Sequence, residues 1–240
     1  MPATVVLVHG AWHGAWCWDR VLEGLEARGI RAEAIDLPGH GRSAEPLGDL
    51  YGDAAALRRT LDGLDGPVVV CGHSYGGAVV SEGAAAHPAV RHVVYLAALM
   101  LDVGESASHS VPEPPGGAPG GASEVGPAMR VSDDGRTVTV DHGAARRVFY
   151  ADCSDGDVDR ALAHLDAHPT VAFEQPATAA AWRGVPSTYV VCSEDRAIAV
   201  WIQQTFAQRA TDSVVWATSH SPFLSRPDLL VDLLADLAGE

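Results

Sequence analysis

The chain has 240 residues, of which 47% are hydrophobic and 20% charged, a composition that suits one globular domain with a core large enough to need no disulfide or metal staple. Its formal net charge of −15 repels nucleic-acid phosphates and anionic bilayers, so neither is expected as a partner. The four cysteines, Cys17, Cys71, Cys153 and Cys192, form no Cys-x-x-Cys pair, so no thiolate zinc site is indicated.

In chain order, short β-branched runs alternate with helical patterns. The N-terminus leads into Val5-Val6-Leu7-Val8 with no basic flank or cleavage signature, and a cytoplasmic location is expected. That continuous apolar run reads as a strand buried on both faces. A helical stripe from Trp16 to Arg28 closes at Gly29, and Ala32–Leu37 is the next strand, ending in Pro38-Gly39-His40-Gly41. Leu50 to Leu64 is a helix. Val68–Cys71 is a third strand, followed by a sharp Gly-rich turn and a helix over Ala78–Ala86. His92–Ala97 is a fourth strand; the apolar run that overlaps it, Val93 to Leu101, is too short to span a bilayer.

The alternation breaks between about residues 101 and 186. Pro112–Gly121 is too rich in Pro and Gly for regular structure. Ser132-Asp133-Asp134-Gly135-Arg136 before Thr137-Val138-Thr139-Val140 signals a hairpin, because Asp-Gly supplies the positive φ of a tight turn. Helical patterns cover Ala144–Ala151 and Val158–Ala167. Residues 101–186 hold too few large apolar residues for a core of their own, so they read as a cap inserted into a core formed by 1–100 and 187–240. A fifth strand follows at Thr188–Cys192, a helix at Ile198–Arg209, a sixth strand at Val214–Trp216, and a closing helix at Pro227–Leu237 with Ser225 as its N-cap. Strand–helix alternation with continuous apolar strands predicts an α/β fold, a mostly parallel central sheet with helices on both faces.

Chemistry concentrates in Gly72-His73-Ser74-Tyr75-Gly76, a G-x-S-x-G nucleophile elbow that sits, as it must, after a strand and before a helix. Such a turn holds the serine in strained backbone so that its hydroxyl stands clear, and side chains in place of its glycines would strike the neighbouring strand or helix. A serine needs a general base. His220 follows the sixth strand, at the same sheet edge as Ser74; His9, His40 and His73 also end strands and are the alternatives, although their motif positions suit structural hydrogen bonds. The acid that orients the base is expected at Asp195, after the fifth strand, with Asp102 and the adjacent Glu194 as alternatives. Two backbone amides, of Ala11 and Tyr75, are expected to form the oxyanion hole.

Three segments carry a resemblance: Val8-His9-Gly10-Ala11-Trp12-His13-Gly14-Ala15-Trp16, Asp36-Leu37-Pro38-Gly39-His40-Gly41-Arg42-Ser43, and Gly72-His73-Ser74-Tyr75-Gly76-Gly77. Together they resemble the α/β-hydrolase branch that holds plant methylesterases, hydroxynitrile lyases and bacterial esterase relatives. The likeness continues through the hairpin at Asp134-Gly135, through Tyr189 to Asp195, and into Ser219-His220. It implies an α/β-hydrolase fold, Asp195 and His220 as acid and base, and Ala11 and Tyr75 as oxyanion donors. The lyases of this branch carry a threonine where this chain has Gly10 and a lysine where it has Ser221. Both departures point to ester hydrolysis; the expected substrate, and the one expected partner, is a small, fairly apolar ester, with no metal or organic cofactor. Lactone opening, C–C cleavage or cyanohydrin cleavage on the same triad is the alternative within enzymes; a ligand-binding receptor on a hydrolase fold is the alternative outside them. A homodimer is compatible with the sequence.

Overall fold

In a computed structural model, residues 2–110 and 122–239 are described; the Pro112–Gly121 stretch lies outside them. Six strands form one parallel sheet in the order β2-β1-β3-β4-β8-β9. In chain order, β1 (Thr4–Val8) leads to α1 (Asp19–Glu26), β2 (Ala32–Ile35) to α2 (Leu50–Asp62), and β3 (Val68–His73) to α3 (Gly76–Gly83), before β4 (Val90–Leu96). Between β4 and the fifth strand of this sheet come α4 (Val125–Ala128), β5 (Met129–Val131), β6 (Thr137–Val140), α5 (His142–Phe149), α6 (Asp155–Leu162), β7 (His168–Pro169) and α7 (Val171–Glu174). The chain then completes the large sheet with β8 (Ser187–Cys192), α8 (Val200–Ala207) and β9 (Asp212–Trp216), and closes with α9 (Pro222–Ser225) and α10 (Pro227–Gly239).

Every residue of β1, β3 and β8 is buried. These strands lie inside the sheet with both faces covered, which is why they read as unbroken apolar runs rather than alternating ones. The edge strands β2 and β9 are partly exposed, and their sequences are correspondingly more mixed. The expected Asp-Gly hairpin is present: β5 and β6 pair antiparallel, and Gly135 takes φ +72°. Strand β7 adds to β6 to give a separate three-stranded sheet. Buried side chains of this segment, among them Val138, Phe149, Tyr150 and Val158, join the hydrophobic cluster of the large sheet.

Element ends shift by a few residues in several places, and three of the shifts have a local reason. A 3-10 turn, Ala15–Trp18, precedes α1 instead of one continuous helix from Trp16. The helix expected at Val158–Ala167 runs Asp155–Leu162, because Ser154 caps it by accepting from the Asp157 amide, with acidic residues in the first turn facing the positive helix end. Ser225 does not cap the closing helix: it ends the one-turn α9, and its Oγ is buried without a partner.

Strand register sets up the site. Val8 pairs with Gly72, and Gly72 with Tyr95, so the residues after β1 run beside those after β3 at the carboxyl edge. From β1 the chain moves to β2 on one side and afterwards to β3 on the other. Loops that leave adjacent parallel strands in opposite directions open a crevice at this edge.

Candidate active site

Ser74 stands at the end of β3 with φ +53°, the left-handed region that a non-glycine residue occupies only when its surroundings enforce it. Here the enforcement is visible. Ser74 O accepts from the amides of Gly77 and Leu99, and the Ser74 amide donates to Leu96 O. The glycines permit this closeness: a Cβ at Gly76 would lie 2.5 Å from the carbonyl oxygens of Val8 and His9, and one at Gly72 would lie 2.6 Å from Gly76 O. The first clash is with the neighbouring strand, the second with the start of the helix, as the motif requires.

The loop after β1 packs directly on the elbow, and a Cβ at Gly10 would lie 2.8 Å from the Ser74 Cβ. Ala11, Ser74 and Tyr75 together line one cavity of about 490 Å³. Among the described residues, neither the Ala11 nor the Tyr75 amide donates to a protein acceptor. Both amides are therefore without a protein acceptor beside the cavity that Ser74 lines.

His220 and Asp195 meet at the ends of β9 and β8. Asp195 Oδ2 lies 2.7 Å from His220 Nδ1, and the side chains of His220 and Asp195 are only 2% and 0% exposed. Asp195 Oδ1 accepts from the amides of Ala197 at 2.7 Å and Ile198 at 3.2 Å, and Oδ2 accepts from Gln203 Nε2 at 2.8 Å. The carboxylate engages Nδ1, which leaves His220 Nε2 as the nitrogen that can face a substrate. The base loop is docked on the elbow through His73. Its Nε2 donates to His220 O at 2.8 Å, and the two rings lie 4.5 Å apart.

The alternatives are occupied elsewhere. Asp102 forms an ion pair with Arg183, which holds its carboxyl below the usual range. Glu194 is exposed. His9 spans Gly10 O and the Leu37 amide, and burial pushes it down to about 3. His40 bonds Pro38 O and His168. Burial also lowers His40 and drives His73 well below the ordinary value. These three histidines are wired into the scaffold, as their motif positions suggest.

Gln203 was not among the sequence candidates. It is fully buried on α8, donates to Asp195 and Ile198 O, and accepts from the Cys192 amide. A glutamine between the apolar residues of Val200-Trp201-Ile202 and Phe206 is the one hint the sequence offers. Asp53 was also missed. Its Oδ2 accepts from Tyr75 Oη at 2.8 Å, and burial pushes its carboxyl up to about 7.

The rest of the cavity is apolar: Trp12, Leu99, Val138, Phe149, Phe173 and Ile198 line it, with Ser108, Thr170 and Glu174 among its few polar residues. No arginine or lysine lines it among the described residues. Among the described residues, no group of three or more His, Cys, Asp or Glu side chains is placed to hold a metal ion, and no helix is long and apolar enough to cross a membrane.

Comparison with known proteins identifies the family and the fold. The profile described as "Alpha/beta hydrolase family" matches residues 5–233. An alpha/beta hydrolase of Aspergillus novofumigatus is 30% identical over the whole of this chain and 98% of its own length. Methylesterase 2 of Arabidopsis thaliana is 29% identical, over 97% of this chain and 95% of its own. The crystal structure of a pyrethroid hydrolase from Sphingobium faniae superposes with a TM-score of 0.84 at 26% identity, covering 99% of this chain and 97% of that one.

Proposed function

The chain belongs to the alpha/beta hydrolase family, and on that premise we propose that it is a serine carboxylic ester hydrolase with Ser74, His220 and Asp195 as its triad. The observation that carries the proposal is the meeting of three parts at one sheet edge. They are a strained serine, a histidine bonded to a buried carboxylate and two unengaged amides around one cavity.

In this reading His220 Nε2 takes the Ser74 proton as Oγ attacks the ester carbonyl. The carbonyl oxygen becomes an oxyanion between the Ala11 and Tyr75 amides, while Asp195 stabilises the imidazolium. Collapse breaks the ester C–O bond, and the proton held by His220 passes to the departing alcohol. Water, deprotonated by His220, then attacks the acyl-serine, and collapse returns the proton to Ser74 and frees the acid. No metal or organic cofactor takes part.

The cavity supports a neutral, fairly apolar ester. A substrate carboxylate would meet Glu174 and no cationic side chain among the described lining residues, and the net charge of −15 would repel it from a distance. Residues 101–186 supply most of that lining, in keeping with their role as a cap over the core formed by 1–100 and 187–240. Relatives named as methylesterases and a pyrethroid hydrolase favour ester hydrolysis over other chemistry on the same triad.

Two positions weigh against cyanohydrin cleavage. A Cβ at Gly10 would crowd Ser74, so this chain has no room for a threonine there without displacing the nucleophile. Ser221 is buried, and its hydroxyl lacks a protein partner; it is neutral where departing cyanide needs a cation. A charged hydrogen bond is worth about 1.5–3 kcal/mol, so its loss alone slows cyanide release roughly 10–100-fold. p-Nitrophenyl acetate should be hydrolysed readily and mandelonitrile slowly or not at all. Both kcat/KM values should be measured on one preparation; a higher value for mandelonitrile would overturn the esterase reading.

A further inference from the structure

The oxyanion loop and the base loop both lean on one short stretch of the inserted segment, Phe149–Asp152, at the end of α5. The Phe149 ring lies 5.7 Å from that of Trp12 and 5.6 Å from that of His220. Tyr150 Oη is 2.8 Å from His13 Nε2. Asp152 accepts from the Ser219 amide at 3.0 Å and from the Ser219 hydroxyl. Three residues of this short stretch thus touch the loop that carries Ala11 or the loop that carries His220.

The link to the oxyanion loop has a definite polarity. His13 Nδ1 lies 2.8 Å from Ala11 O, and a carbonyl can only accept, so Nδ1 carries the proton. Burial pushes His13 down to about 4, so the ring is neutral at ordinary pH. Its Nε2 is then an acceptor, and the Tyr150 hydroxyl donates to it. The chain Tyr150 Oη → His13 → Ala11 O anchors the residue read above as an oxyanion donor.

Trp12, the next residue, has φ +65°. Such backbone costs about 1–3 kcal/mol and persists only where surrounding contacts over-determine it. Here they come from the insertion as well: Trp12 Nε1 donates to Val138 O at 2.9 Å, and Trp12 O accepts from the Asp166 amide at 2.8 Å.

We propose that Tyr150 and Asp152 are positioning residues of the hydrolase. Through His13 and Ser219 they set the oxyanion loop and the base loop relative to each other, so the insertion governs transition-state stabilisation as well as the shape of the pocket. This rests on the reading of Ala11 as an oxyanion donor and His220 as the base.

The variants Tyr150→Phe and Asp152→Ala, made in the full chain, test it. The first keeps the ring and removes one hydroxyl; the second alters an exposed side chain and should leave the fold intact. Each should lower kcat for p-nitrophenyl acetate about 10-fold or more, with KM within about twofold. A trifluoromethyl ketone that forms a hemiketal oxyanion on the serine should lose affinity in parallel with kcat. A merely structural role would not produce that pairing, and thermal denaturation should show both variants folded at the assay temperature. Values of kcat within twofold of wild type for both variants would overturn the proposal. Losses confined to KM with ketone affinity unchanged would do the same. A wild-type protein with no esterase activity would sink the underlying reading, and this inference with it; an active wild type with unaffected variants would sink this inference alone.

Discussion

Asp195 accepts four hydrogen bonds; in the proposed mechanism only the one to His220 bears on proton transfer, and the rest hold the carboxylate in place. That division gives the residue-scale prediction. Asp195→Asn keeps the size and most of the contacts but presents His220 with the wrong tautomer, so kcat should fall on the order of 10⁴-fold. Asp102→Asn breaks an outer pair with Arg183, whose side chain is 61% exposed. It should leave kcat near wild type and cost at most about 1 kcal/mol of stability. Steady-state kinetics on the two variants decides between the carboxylates: reversed effects would move the acid to Asp102 while leaving Ser74 untouched. The position of Asp195 was legible from its place after a strand, because the fold brings all such loops to one edge. The donors around it were not. Gln203 is remarkable in sequence only as a polar residue in an apolar helix, and its target becomes apparent only once α8 has packed on β8.

Among the elements, the strands were the easiest to read, for a physical reason. The interior strands β1, β3 and β8 are buried on both faces, so their composition is extreme and their ends are marked by glycine and polar turns. Helix starts were harder to read, because capping depends on a few local bonds. Ser154 rather than a later residue starts α6, and α9 takes up the serine expected to cap α10. The hairpin of β5 and β6 was legible because Asp134-Gly135 dictates its turn. The addition of β7 to that hairpin was not, since a two-residue strand carries no periodicity. The contacts of Tyr150 and Asp152 with His13 and Ser219 span 137 and 67 residues. No local spacing encodes contacts of that range, so the coupling between insertion and catalytic loops had to come from tertiary structure.

At the scale of the whole molecule, buried histidines dominate the response to acid. Burial lowers His9 to about 3 and His13 to about 4, and it lowers His40, His73 and His168 as well. Each is depressed in the fold, so between its folded value and about 6.5 the unfolded chain binds more protons. Their contribution is therefore complete above about pH 6.5 and is lost as pH falls toward the folded values, by up to about 1.4 kcal/mol per pH unit per group. Asp53 has the opposite sign. Its carboxyl is raised to about 7, so it stabilises below the ordinary carboxylate range, and that contribution is lost as pH rises through about 7. Burial raises the Glu33 carboxyl as well, so two carboxyls oppose five histidines, and stability should fall between pH 7 and pH 5. Asp53→Asn removes one of the opposing contributions, so its Tm should fall more steeply over the same interval. Thermal denaturation across pH 4–8 checks both slopes; a flat wild-type curve, or a shallower one for the variant, would contradict the assignment.

Whether chemistry runs through Ser74 can be read from a single covalent adduct. The native protein should be treated with an alkyl fluorophosphonate, and the modified peptide mapped by mass spectrometry while residual esterase activity is followed. The expected result is one equivalent of phosphonate on the Ser74 hydroxyl, with activity lost in proportion to labelling and no labelling of Ser74→Ala. An adduct on a different residue, or full esterase activity retained in Ser74→Ala, would contradict it.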